Sequence, residues 1–105
     1  MDRYLHISVK DKVATYASRD GKIVCGNNDY QIVFNFDDEW ADYPNRKARF
    51  IWNGQRRDVE FTGDTVNVPI ITNTKKLIVG VFADNISTTA VTIPCVLSVL
   101  CEGGV

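Results

Sequence analysis

Apolar residues recur at every second position along much of this chain, and turn signals interrupt them at short intervals. Leu5, Ile7 and Val9 alternate with Tyr4, His6 and Ser8, and Tyr30, Ile32, Phe34 and Phe36 alternate with Gln31, Val33 and Asn35. Successive side chains of a β-strand point to opposite faces, so this pattern suits strands with one buried face. Turn residues fall at Asp20-Gly21, Gly26-Asn27-Asn28-Asp29, Tyr43-Pro44-Asn45, Asn53-Gly54 and Thr62-Gly63-Asp64. Short strands with regular turn signals point to an all-β fold. The expectation is an antiparallel β-sandwich, Ig-like or jelly-roll-like. Eight strands are expected at 3–10, 12–17, 22–25, 30–36, 46–52, 55–61, 65–68 and 75–83, with a ninth at 93–101. No segment sustains the 3.6-residue period of a helix. A single helical turn is expected over 37–42, with Asp37 as its cap and Pro44 as its stop.

A chain of 105 residues has room for one domain. That domain is expected over 1–102, with 103–105 a Gly-rich tail or the start of a linker. Twelve Lys and Arg against thirteen Asp and Glu leave a formal net charge of -1. A duplex nucleic-acid binder carries a basic excess, so the balance argues against one.

The hairpin at Asn53-Gly54 fixes its own register. That dipeptide favours a two-residue type I′ loop. Trp52 then faces Gln55, Arg49 faces Asp58 and Lys47 faces Glu60. Both charge pairs share one face, where opposite charges stabilise. Ala48 and Val59 fall on the other face beside Phe50 and Phe61. A one-residue slip would send every side chain to the wrong face.

Three cysteines are an odd number, so one chain cannot pair them all. Cys95 and Cys101 would lie about 20 Å apart on one strand, too far for a disulfide. Cys25 could meet either, but reduced, buried thiols are the plainer expectation. The spacing for zinc is absent, and no D-x-D-x-D-G loop follows the acidic triplet Asp37-Asp38-Glu39, so neither a metal nor a cofactor is expected. The N-terminus has no apolar stretch of a signal peptide, and no apolar run reaches the length of a membrane span. Asn85-Ile86-Ser87 is then a chance sequon.

Catalytic groups are sparse. His6 is the one histidine, and Ser8, Ser18, Ser87 and Ser98 sit in no nucleophile elbow, so no catalytic residue is expected. Arg46, Lys47, Arg49, Arg56 and Arg57 with Phe50 and Trp52 have the composition of a single-strand-binding surface. The hairpin register pairs Lys47 and Arg49 with acids, which leaves little charge for nucleic acid. Tyr16, Tyr43 and Trp52 are the candidate contacts for a partner or a glycan. Trp40, Phe34, Phe36, Phe50, Asn53 and Gly54 are expected to be structural, with Trp40 folding back over the end of the core.

One stretch carries a resemblance. Phe34-Asn35-Phe36-Asp37-Asp38-Glu39-Trp40 is followed by Lys47-Ala48-Arg49-Phe50, then Val59-Glu60-Phe61-Thr62-Gly63, Val66-Asn67-Val68-Pro69 and Leu77-Ile78-Val79-Gly80-Val81-Phe82-Ala83. The pattern resembles the small β-sandwich domains at the N-termini of bacteriophage structural proteins of Gram-positive hosts. Baseplate upper proteins and related tail or head fibre attachment modules look like this. The resemblance implies a non-enzymatic virion module, made in the host bacterial cytoplasm, that anchors a tail, baseplate or fibre appendage. It implies other phage structural proteins as partners and a homo-oligomer, with a trimer favoured. Alternatives are a head fibre or capsid decoration domain, a carbohydrate-binding β-sandwich in which Trp40, Trp52 or Tyr43 stacks on sugars, and a small phage-encoded inhibitor of a host protein.

Overall fold

The computed structural model describes residues 4–18, 21–27 and 29–97. Ten strands follow in chain order: β1 (Tyr4–Lys10), β2 (Val13–Tyr16), β3 (Ile23–Val24), β4 (Gln31–Phe36), β5 (Asn45–Trp52), β6 (Gln55–Thr62), β7 (Thr65–Asn67), β8 (Lys76–Ala83), β9 (Ile86–Ser87) and β10 (Val91–Val96). All nine expected strands have a counterpart. The additional one is β9, too short for its period to register in the sequence. The strand expected at 93–101 begins at Val91, and its positions 98–101, with Ser98 and Cys101, lie outside the described residues. So do Asp20, Asn28 and the tail at 103–105.

The strands form two sheets. One has the order β2-β1-β4-β7, and the six-stranded other has β3-β10-β8-β5-β6 with β9 paired to β8. Alternation builds the space between them. Leu5, Ile7 and Val9 of β1 meet Phe50 and Trp52 of β5 and Leu77, Val79 and Val81 of β8 in one apolar core. No described polar or charged residue is wholly buried there. The result is an all-β, sandwich-like fold.

The pairing is not wholly antiparallel as expected. β1 runs parallel to β4, and β10 runs parallel to β3. The cause is the route of the chain. After β2 it crosses to the far sheet to lay down β3, then returns to β4 beside β1. A parallel neighbour requires such a long crossover, whereas a tight turn gives an antiparallel one.

The hairpin register agrees with the expectation at every position tested: Lys47 opposite Glu60, Ala48 opposite Val59, Arg49 opposite Asp58 and Trp52 opposite Gln55. Asn53 and Gly54 both take positive φ, 47° and 74°, as a type I′ loop demands. The β1–β2 turn does the same with Asp11 and Lys12, at 50° and 66°. Neither is glycine, so this turn carries the cost of left-handed backbone on ordinary side chains.

Candidate functional site

The F-x-F-acidic-W stretch closes one end of the sandwich. β4 ends at Phe36, and a 3₁₀ turn, Asp38–Asp42, carries Trp40 back over the core, where it is fully buried. Its ring lies 5.0 Å from that of Phe36 and 6.3 Å from that of Tyr43. Arg46 occupies an inward position at the start of β5, two residues before Ala48. Its guanidinium sits 4.3 Å over the Phe36 ring and donates to the Trp40 carbonyl at 2.7 Å and to the Gly63 carbonyl. Partial burial lowers its pKa, and Asp64 partly offsets that shift.

The acidic triplet ties this end to the β1–β2 turn. Asp37 sits at the N-cap position but does not cap the turn, contrary to expectation. Its carboxylate instead accepts the Asp11 N–H at 2.7 Å, because the strained turn presents a donor that no strand partner takes. Glu39 pairs with Lys12, and this bond raises the Lys12 pKa. These carboxylates therefore diverge toward separate partners. Among the described residues, no three His, Cys, Asp or Glu side chains gather as metal ligands. The lone His6 is exposed on β1, its backbone N–H donating to Ser18 Oγ at 2.7 Å.

The outer face of the six-stranded sheet carries a groove. The register sets Arg49 opposite Gly80, Ile51 opposite Ile78 and Lys47 opposite Phe82. Gly80 has no side chain, so it leaves a notch in this row. A groove of about 520 Å³ runs over it, lined by Arg49, Ile51, Ile78 and Phe82 on one side and by Ser87 and Thr88 on the other. Arg49 is held in place from two directions. It forms a two-point bond with Asp58 at 2.9 and 3.1 Å, and its guanidinium lies 4.9 Å over the Phe82 ring. The hydrogen bond to Asp58 raises Arg49 and holds the Asp58 carboxyl below its ordinary range. Thr88 is fixed as well, since its Oγ1 accepts the Val81 N–H at 3.1 Å and donates to the Thr89 carbonyl at 2.8 Å. The groove thus has an apolar floor and a preset polar rim.

The aromatic contact candidates fare differently. Trp52 is buried at 5% exposure and offers no face to a partner or a sugar. It lies two residues after Phe50 on one strand, so alternation sends both into the core. With Trp40 also buried, the indole platforms of a carbohydrate site are gone. Tyr16 and Tyr43 are half-buried against the core. The Tyr16 hydroxyl donates to the Gly21 carbonyl at 2.8 Å, and the Tyr43 hydroxyl donates to Asn85 Oδ1 at 3.3 Å. Phe34 and Phe50 are buried, and Phe36 packs at the margin. The structure does not gather Tyr16, Tyr43 and Trp52 into one surface. The groove residues Gly80, Phe82 and Thr88 had one sequence signal, an isolated glycine inside an apolar strand, which marks a close approach or a gap.

Cys25, just past β3, and Cys95, on β10, are buried neighbours, both thiols. Cys25 Sγ donates to the Thr74 carbonyl at 3.3 Å. Burial pushes the Cys95 thiol up to about 12, with the charge of Cys25 adding to the shift, so Cys95 lacks the character of a nucleophile. Among the described residues no helix is long and apolar enough to cross a membrane. Comparison with protein-family models, curated proteins and solved structures returns no match.

Proposed function

We propose that this chain is a non-enzymatic structural module of a bacteriophage virion, anchoring a tail, baseplate or fibre appendage through protein–protein contacts. The observation that carries the reading is the notch at Gly80. A rigid sheet presents an apolar floor of Ile51, Ile78 and Phe82, framed by an immobilised Arg49 and Thr88. That is the form of a socket for an apolar side chain with a polar rim around it, as protein interfaces are built. The partner is another virion structural protein that offers such a side chain. The resemblance of Phe34 to Trp40 and of Lys47 to Phe50 to phage attachment domains supports this choice. Those residues set the sandwich end and the hairpin beneath the groove.

The test uses the space above Gly80. A Cβ there would meet Thr88 Oγ1 at 3.6 Å and the Thr89 carbonyl at 3.8 Å, ordinary contacts. Gly80→Ala should therefore fold normally, and Gly80→Leu should fill the socket from a strand that still pairs. Wild-type protein is expected to co-sediment with tail, baseplate or head assemblies purified from the phage that encodes it. Gly80→Leu should lose that co-sedimentation while melting like wild type. Undiminished co-sedimentation of a folded Gly80→Leu variant, or none of the wild type with any assembly, would overturn the proposal.

A further inference from the structure

We propose that strand β6 pairs with β6 of a second copy of this chain, edge to edge and antiparallel, about a two-fold axis at Asp58. This inference does not depend on the virion role. Its starting point is position: β6 is the last strand of the six-stranded sheet, and it pairs with β5 along its whole length from Gln55 to Thr62. The other edge of that sheet is β3, two residues long. A long regular edge strand is a template for another strand.

The hairpin determines which backbone groups β6 presents. In a two-residue type I′ loop the flanking residues, here Trp52 and Gln55, form a hydrogen-bonded pair. Bonded and non-bonded pairs then alternate. Arg57, Val59 and Phe61 therefore bond to β5, and the N–H and C=O groups of Arg56, Asp58 and Glu60 point away from the sheet. A two-fold axis normal to the sheet must set these outward residues against one another.

Three registers do so with substantial overlap, and charge chooses among them. Centring on Val59 sets Asp58 against Glu60 twice, which is repulsive. Centring on Arg57 sets Arg56 against Asp58 twice, but those carboxylates are already engaged by Arg49; it also sets Arg57 against its own copy and leaves Glu60 facing the loop at Gly54, so fewer main-chain bonds form. Centring on Asp58 sets Arg56 against Glu60 twice and overlaps the full strand. Its one like-charge contact is Asp58 with its copy, and each of those carboxylates is already held by its own Arg49 at 2.9 Å. This register forms about six main-chain hydrogen bonds with two flanking ion pairs. Charged edge residues can instead guard a strand against pairing. A guard works through a proline, a bulge or charges that repel their own copy. β6 has no proline, its register with β5 is unbroken, and its charges run from positive at Arg56 to negative at Glu60. An antiparallel copy meets that gradient with the opposite sign. Such a contact is isologous and closes at two copies, so it does not by itself build a trimer.

Sedimentation equilibrium across a concentration series tests the proposal, with thermal melts as the check on folding. Wild type should move from 11.8 kDa toward twice that mass as concentration rises. Arg56→Glu and Glu60→Arg should each stay monomeric, since each places like charges opposite one another at both ends. The two single variants mixed should associate, because a carboxylate of one copy then faces a guanidinium of the other at both ends of the overlap. The double variant Arg56→Glu/Glu60→Arg should regain self-association. A wild type that stays monomeric at the highest concentration, a folded mixture that fails to associate, or an assembly of three copies would overturn it.

Discussion

Trp40 is the side chain on which the closed end of the sandwich rests. It is fully buried, its ring packs against Phe36 and Tyr43, and its carbonyl holds Arg46. Among the described residues, Trp40→Ala removes the largest fully buried side chain of the core. Truncating a buried aromatic of this size costs about 3–5 kcal/mol, cavity included. Total stability of a domain this size is about 5–15 kcal/mol, so much of it would go. At roughly 4–8 °C per kcal/mol for a chain near this length, the melting temperature should fall by at least about 12 °C. Trp40→Phe separates packing from polarity. The indole Nε1 has no hydrogen-bond partner among the described residues, so phenylalanine loses volume but breaks no bond and should cost about 1–2 kcal/mol. Paired thermal and urea melts measure both variants. A drop under about 4 °C for Trp40→Ala, or equal losses for the two variants, would mean that Trp40 does not hold the closed end by its packing.

Other outcomes follow from the same contacts. Thr88→Val keeps the shape of the groove rim but strips the acceptor from the Val81 N–H, and should cost about 1–3 kcal/mol in a urea melt. The Cys95 pKa is raised in the folded protein to about 12 from an ordinary 9.0. Protons thus leave the unfolded chain first, so the Cys95 contribution is full below about pH 9 and falls as pH rises toward 12; melting temperatures over that range should fall less steeply for Cys95→Val. Asp58 has the opposite sign: its pKa is lowered, chiefly by the bond from Arg49. Its contribution is present above the ordinary carboxylate pKa and is lost as pH falls below it. Acid titration of Asp58→Asn should show a shallower loss of melting temperature than wild type.

The hairpin was legible in the sequence because two independent signals agreed there. Asn53-Gly54 names its loop type, and the charges of Lys47, Arg49, Asp58 and Glu60 match only one register. Trp40 was legible because an acidic turn next to an apolar strand forces the chain outward and the aromatic back. Trp52 and Arg46 were equally readable by position. Both share the parity of Ala48 and Phe50, and on a strand parity outranks residue type: the indole is buried, and the guanidinium turns to the same face and is partly buried at its end. The parallel pairings of β1 with β4 and of β3 with β10 left no local trace. They depend on which sheet each strand joins, and that is decided by contacts distant in the chain. The tie from Asp37 to Asp11 is of the same kind, since it requires knowing that a strained turn leaves a donor exposed nearby. The groove needed three strands and the Gly80 gap in register, of which the sequence carried only the glycine.

The proposed virion role is tested by peptide mass spectrometry on density-purified particles of any phage whose genome proves to encode this chain. Peptides of the chain are expected in the particles, at an abundance comparable to known tail, baseplate or fibre proteins. Peptides confined to the soluble fraction of infected cells, and missing from the particles, would contradict it.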